Sequence, residues 1–363
     1  MSTQAIDFGT ALNHDQTVRV IAHNPDVRFL VEGEPGIGKS FMATDIAKKA
    51  SEITGLDYGV AYIDVPNCDL GDIAMPVIDH EEKVTRYYPN NRFGLHTGQP
   101  MVIMLDEFSK GADPVKNMLH PLLEEGNPRL GDLAIPKGTI IFLTGNLSTD
   151  GVGDSLKAHT NDRVVRIRKR KPTSEEWLGW AIPNNIAPVV CSWVDQYPHA
   201  LASYTDASEK ENLYIYQPRK QQKAFVTPRS LAIASKIVQS RKSVDDRDSL
   251  IAALRGAIGE AAARDMEAFI DYQDQLPKFK EIIADPKNVK LPDSVGARAV
   301  LVFSAIQKVD KETITPFMQY LARFDEEWQA AFCINISKDK SRQQIAFGSK
   351  AFSDWVVKNE DLL

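Results

Sequence analysis

The stretch VEGEPGIGKSFMATDIAKKA, Val31–Ala50, decides the fold. Upstream, VRFLVEG (Val27–Gly33) is a short apolar run that stops at a glycine. Downstream, Phe41–Ala50 mixes good helix formers with an expected buried face at Phe41, Met42, Ile46 and Ala47. A strand, a glycine-rich loop and a helix in that order are the setting that G-x-x-x-x-G-K-[ST] requires. Gly33, Glu34, Pro35, Gly36, Ile37, Gly38, Lys39 and Ser40 fill the pattern. Glycines let successive backbone N–H groups converge on an anion, and the helix N-terminus adds partial positive charge. Lys39 would then reach the β and γ phosphates, and the Ser40 hydroxyl would hold Mg²⁺.

A second apolar run, Met101–Leu105, has the composition of a strand buried on both faces of a parallel sheet and ends in Asp106 and Glu107. Two acids at a buried strand end need a partner. A phosphate-bound metal answers for Asp106, and Glu107 would then polarise an attacking water. The run GTIIFLTGN (Gly138–Asn146) ends in Thr144 and Asn146. That asparagine either orients the water or simply occupies a turn; residue chemistry leaves both open. The runs Gly59–Val65 and Arg163–Lys169 complete an expected five-stranded core, with helices at Phe41–Ser51 and Pro114–Glu125 on its faces. Ligands gather at the C-terminal ends of such strands, where these polar residues fall.

These motifs together resemble an AAA+ ATPase, and more narrowly the MoxR-like branch. GEPGIGKS is similar to Walker A, VIMLDE to Walker B, and LTGN to the sensor 1 segment with Asn146. The resemblance covers about residues 15 to 270 and includes the passage from Asn117 to Asn146. It implies an α/β P-loop NTPase core (five-stranded parallel sheet, AAA+ type) at 1–170, an α-helical lid at 171–276 and a mostly helical C-terminal extension at 277–363. It further implies ATP and Mg²⁺ as cofactors, with Lys39, Ser40, Asp106 and the loop residues Gly33 to Phe41 around the nucleotide. By the same resemblance Arg163 is the arginine finger, with Lys157 and Arg166 nearby, and Arg229 is sensor 2. Asn67, at the end of the second strand, would restrain Glu107 in an inactive state.

Residue chemistry is compatible with these roles without requiring them. Thr227 and Pro228 read as N-cap and first helical residue, which puts Arg229 in a first turn where it opposes the helix dipole. An anion nearby or an Asp or Glu partner would each explain it. Arg163 starts a strand and serves equally as a solvated edge, while Asn after Pro66 is ordinary turn chemistry.

Elsewhere the sequence is quieter. AMPVIDHEEKVTRYYPNNRFGLH, Ala74–His96, reads as two alternating segments joined by an acidic tip. Tyr87, Tyr88 and Phe93 there would grip a polypeptide in a ring channel or fill a small satellite core, and base rates put at least two of them in the core. RIRKRKP (Arg166–Pro172) is the one dense basic run. With a formal net charge of -6 and no interleaved aromatics, it favours a linker or subunit interface over nucleic acid. Helices are expected at 174–181, 187–196, 229–240, 246–256 and 259–276. Residues 278–292 read as a boundary, followed by helices at 295–308, 314–323, 325–332 and 349–359.

The three cysteines, Cys68, Cys191 and Cys333, are far apart and read as thiols of a reducing compartment. The N-terminus lacks a positive region followed by an apolar run, and no stretch reaches the roughly 18 apolar residues of a membrane span. A cytoplasmic protein is the expectation. The functional expectation is a ring-forming, hexameric Mg²⁺-dependent ATPase that remodels or matures a protein, with a von Willebrand factor A protein as partner by family resemblance. Two rivals stand beside it, a DNA-associated AAA+ ATPase and an ATP-gated assembly scaffold.

Overall fold

The computed structural model describes residues 10–147, 156–218, 220 and 222–360. The first nine residues, where the absence of a leader pattern was read, lie outside the described residues. The chain divides into two compact units, Met1–Lys171 and Pro172–Leu363.

In the first unit the elements run α1 (His14–Ala22), β1 (Phe29–Glu32), α2 (Met42–Thr54), β2 (Gly59–Asp64), α3 (Leu70–Ile73), β3 (Ala74–Asp79) and β4 (Val84–Pro89). They continue as β5 (Met101–Asp106), α4 (Asp113–Leu119), β6 (Arg129–Leu130), β7 (Leu133–Ala134), β8 (Ile140–Gly145), α5 (Ala158–Asn161) and β9 (Val165–Arg168). Five strands form one sheet in the order β2-β5-β8-β1-β9, and each adjacent pair is parallel. This is a five-stranded parallel P-loop core in which β8 separates the loop-bearing strand β1 from β5. Every residue of β5 and β8 is buried, as strands covered on both faces must be.

Alternation along the strands feeds two cores. Leu30, Ala61, Ile63, Ile103, Leu105, Ile141 and Leu143 face Val115, Leu119 and Leu122. Phe29, Val31, Val102, Met104, Ile140 and Phe142 face α1 and α2 through Ile21, Met42, Ile46 and Ala50. Period-two side-chain direction is what lets one sheet bury both faces. The expected helix at Pro114–Glu125 is shorter: α4 stops at Leu119 and a 3-10 turn spans His120–Leu123. Pro121 has no N–H for a helical bond, and its ring disfavours a continuing α-helix.

The hairpin β3–β4 forms as its alternation suggests, antiparallel with Ala74 opposite Pro89 and Asp79 opposite Val84. Its aromatics correct the satellite-core expectation. Tyr87 and Tyr88 are 45% and 44% exposed, and only Phe93 of the three is buried. Tyr87 is held by its backbone instead: its N–H donates to Asp132 Oδ2 and its carbonyl accepts from Asp132 N. Gly131 makes that approach feasible, because a Cβ there would lie 2.3 Å from the Tyr87 carbonyl oxygen.

The second unit comprises α6 (Ser174–Ala181), α7 (Pro188–Gln196), α8 (Pro228–Gln239), α9 (Arg241–Val244), α10 (Arg247–Ile258) and α11 (Glu260–Gln275). It goes on with α12 (Phe279–Ala284), α13 (Val295–Lys308), α14 (Ile314–Leu321), α15 (Glu326–Ser337), α16 (Lys340–Phe347) and α17 (Lys350–Lys358). Thr173 and Glu176 close a capping box on α6, and Thr227 caps α8 with Pro228 in its first turn. One apolar cluster runs from Trp177 in α6 to Trp355 in α17, with α13 contributing Val300, Phe303 and Ile306. Helices on both sides of residue 276 therefore share a core. Among the described residues, no helix is long and apolar enough to cross a membrane.

Candidate functional site

The phosphate loop begins where β1 ends. Gly36 and Gly38 sit at φ 73° and 84°, the left-handed region that glycine enters without a steric penalty. Gly33 is needed for a different reason: a Cβ there would lie 2.6 Å from Ile37 Cδ1 and 2.7 Å from the Lys169 carbonyl oxygen. A 3-10 turn at Lys39–Phe41 leads into α2, so the loop faces a helix start. Phe41 corrects the expected buried face of α2, since it is 65% exposed while Met42, Ala43, Ile46 and Ala47 are buried.

Lys39 is buried, and its ammonium donates to the Gly33 carbonyl at 2.6 Å, the Glu34 carbonyl at 3.0 Å and Asn146 Oδ1 at 3.0 Å. All three acceptors lie at the C-terminal ends of β1 and β8. Asn146 also reaches the other way, its amide nitrogen lying 3.5 Å from Glu107 Oε1. Lysine, asparagine and glutamate from three parts of the sequence thus form one chain of polar contacts.

Asp106 is buried with both carboxylate oxygens engaged. Thr144 Oγ1 donates to Oδ1, and the Tyr62 hydroxyl donates to Oδ2 at 2.6 Å. Burial and the Asp106 carboxylate push the Tyr62 phenol well above its ordinary range, so it stays a donor. Ser40 and Asp106 are oxygen ligands of the type a hard cation takes, and the phenol holds the second of them. Among the described residues no group of three or more His, Cys, Asp or Glu assembles a metal site. Such a donor set suits a Mg²⁺ ion that arrives with phosphate ligands of its own.

Glu107 follows with φ 49° and ψ 39°, a left-handed conformation that a non-glycine residue adopts at a cost of about 1 kcal/mol or more. Its N–H donates to Thr144 Oγ1 at 3.1 Å, which helps hold that turn. Lys110 pairs with the carboxylate at 2.7 Å. The expected restraint by Asn67 does not occur: its amide donates to Asp64 Oδ2 at 2.8 Å, three residues away. Local turn closure won that competition.

The basic run is turned inward. Lys169 and Lys171 are buried, and Lys169 Nζ donates to the Ile37 carbonyl of the phosphate loop at 3.0 Å. Burial lowers the Lys171 pKa to about 8, partly offset by Glu34. Arg166 pairs with Glu32 at 2.7 Å and donates to Asn161 Oδ1. The sequence reading missed this because β9 meets β1 only through a long-range parallel pairing, Glu32 opposite Arg168. Arg163 is half-buried just before β9, and Lys157 pairs with Asp113 at 3.0 Å. Arg229 lies in the second unit, exposed in the first turn of α8.

No family model matches the chain, and no curated protein matches it. Among solved structures it is similar to a candidate ATPase from Cytophaga hutchinsonii at 13% identity and a TM-score of 0.32, covering 74% of this chain and 92% of that one. It is also similar to NtrX from Brucella abortus in complex with ADP, at 13% identity, TM-score 0.34 and coverage of 98% and 69%. NtrX in complex with ATP matches at 14% identity, TM-score 0.33 and coverage of 99% and 70%. Likenesses this distant carry no functional weight; the P-loop fold rests on the strand order and loop described above.

Proposed function

We propose that the chain is a Mg²⁺-dependent P-loop ATPase whose nucleotide state gates assembly. The observation that carries this reading is the polar chain Lys39–Asn146–Glu107 beside the Thr144–Asp106–Tyr62 cluster. The three acceptors named for Lys39 are uncharged oxygens, and phosphate oxygens would exchange for them with a gain in charge complementarity. In this reading Gly33 to Phe41 surround the phosphates and Ser40 and Asp106 hold the ion. The ion would supply charge neutralisation at the phosphates. Glu107 polarises water and Asn146 orients it. The left-handed turn at Glu107 and its ion pair to Lys110 support a carboxylate held ready, with Lys110 leaving when nucleotide binds.

Arg163 is proposed as the finger completing a neighbouring subunit's site, and Arg229 as the sensor of the helical unit. An arginine supplied in trans contributes about 10³–10⁵ in rate in related phosphoryl transfers, so turnover would report on assembly. We assign 171–276 as the lid and 277–363 as an extension that moves with it, since both feed one apolar cluster. The inward-facing Lys169 and Lys171 weigh against a DNA-associated role.

The hairpin β3–β4 favours a second reading, remodelling of a protein partner. Met75, Val77, Ile78, Tyr87 and Tyr88 are all exposed on it. A MoxR-like hexameric ring acting on a von Willebrand factor A protein is the specific form of that reading. Steady-state ATP hydrolysis by wild type and Glu107→Gln across a concentration series, with solution mass alongside, separates the two. Activity that rises with self-assembly and needs no added protein supports gating. Assembled but idle enzyme, awakened only by a polypeptide, supports remodelling. A monomer that never hydrolyses ATP contradicts both.

A further inference from the structure

Tyr62 is nearly half exposed, at 48%, on β2, the edge strand of the sheet. An aromatic ring there would ordinarily be read as surface cover, yet its hydroxyl is turned inward to Asp106 Oδ2. Parallel pairing explains how it gets there. Tyr62 lies opposite Met104, and period-two alternation puts Tyr62, Met104 and Asp106 on the same face of the sheet.

We propose that Tyr62 is a positioning residue for the metal site, fixing the Asp106 carboxylate before the ion arrives. The inference rests on the reading that Ser40 and Asp106 hold Mg²⁺. Thr144 secures Oδ1 of Asp106 and Tyr62 secures Oδ2, so the two hydroxyls together orient the carboxylate. Groups that orient metal ligands without touching the metal commonly change metal affinity by about 10–100-fold when removed.

The test titrates Mn²⁺ by electron paramagnetic resonance in the presence of saturating ADP, and measures ADP affinity separately in EDTA. Full-length wild type, Tyr62→Phe, Asp106→Asn and Val60→Ala are compared, with thermal melting of each. Val60 is an exposed neighbour on the same strand and serves as the bystander. The expected result is about a tenfold loss of Mn²⁺ affinity in Tyr62→Phe, with ADP affinity in EDTA unchanged and Val60→Ala like wild type. Wild-type Mn²⁺ affinity in Tyr62→Phe, alongside loss in Asp106→Asn, overturns the role of Tyr62 and leaves the metal reading standing. Loss of ADP affinity in EDTA also overturns it, by showing general damage to the site. If wild type binds no Mn²⁺ with ADP, or Asp106→Asn binds it normally, the metal reading itself falls and takes this inference with it.

Discussion

The two compact units spend their polar residues differently. In the α/β unit, buried strands end in Asp106, Thr144 and Asn146, and the parallel sheet brings those ends together at one edge of the phosphate loop. In the helical unit the long side chains go into one apolar cluster, and Arg229, the residue singled out there, is exposed at a helix start. Parallel topology concentrates chemistry at strand ends, whereas helix packing concentrates it nowhere in particular. All five tryptophans, at 177, 180, 193, 328 and 355, belong to the helical unit, so tryptophan emission comes from that unit.

That contrast can be broken most sharply at Glu107. Glu107→Gln is expected to lower ATP turnover by about 10²–10⁴-fold while binding persists, as loss of a general base requires. Equal loss of binding would mean that Glu107 shapes the site rather than acting in it. Leu254→Ala deletes a buried side chain of α10 and should cost about 2–5 kcal/mol in the tryptophan-detected unfolding transition. Phosphate-loop affinity for ADP should be retained below that transition; its disappearance would show that the units fold as one.

Lys171 sharpens the comparison through pH. Its folded pKa is lowered to about 8 from 10.5, so the penalty for burying its charge is present in full below pH 8. Between pH 8 and 10.5 the unfolded chain binds more protons, so wild-type stability rises there relative to Lys171→Met, by up to about 3 kcal/mol. Chemical denaturation of both proteins at pH 7 and pH 10 reads the difference; a constant gap contradicts a buried, perturbed lysine. The smallest effect concerns the thiols. Burial raises Cys191 and Cys333 well above the usual thiol range, while Cys68 is partly exposed. An aromatic disulfide reagent should modify one thiol in the native protein and three after unfolding.

How much was legible in the sequence follows the same division. The phosphate loop, the acids after β5 and the strand ends at β8 are local patterns, and the structure places them in contact. The helices expected in the second unit fall within a few residues of where they form, because capping residues such as Thr173 and Thr227 mark them, but α9, α12 and α16 were missed, and α12 lies inside the run read as a boundary. Long-range pairing hid the rest. Nothing adjacent to Tyr62 announces its bond to Asp106, 44 residues away. Lys169 looks like surface charge until β9 lies beside β1. Phe41 looked buried by helical periodicity, but the 3-10 turn before α2 shifts its direction. The helix α1 was missed because HDQTVRVIA is polar around a narrow buried stripe of Thr17, Val18, Ile21 and Ala22.

The central claim is that the polar strand ends form a nucleotide-phosphate site. Equilibrium binding of a fluorescent ATP analogue to wild type and Lys39→Ala, with Mg²⁺ present, tests it most directly. Saturable wild-type binding weakened at least about 100-fold by the substitution, close to 3 kcal/mol for a buried charged donor, is the predicted result. Binding that Lys39→Ala leaves intact, or none by the wild type, would contradict the claim.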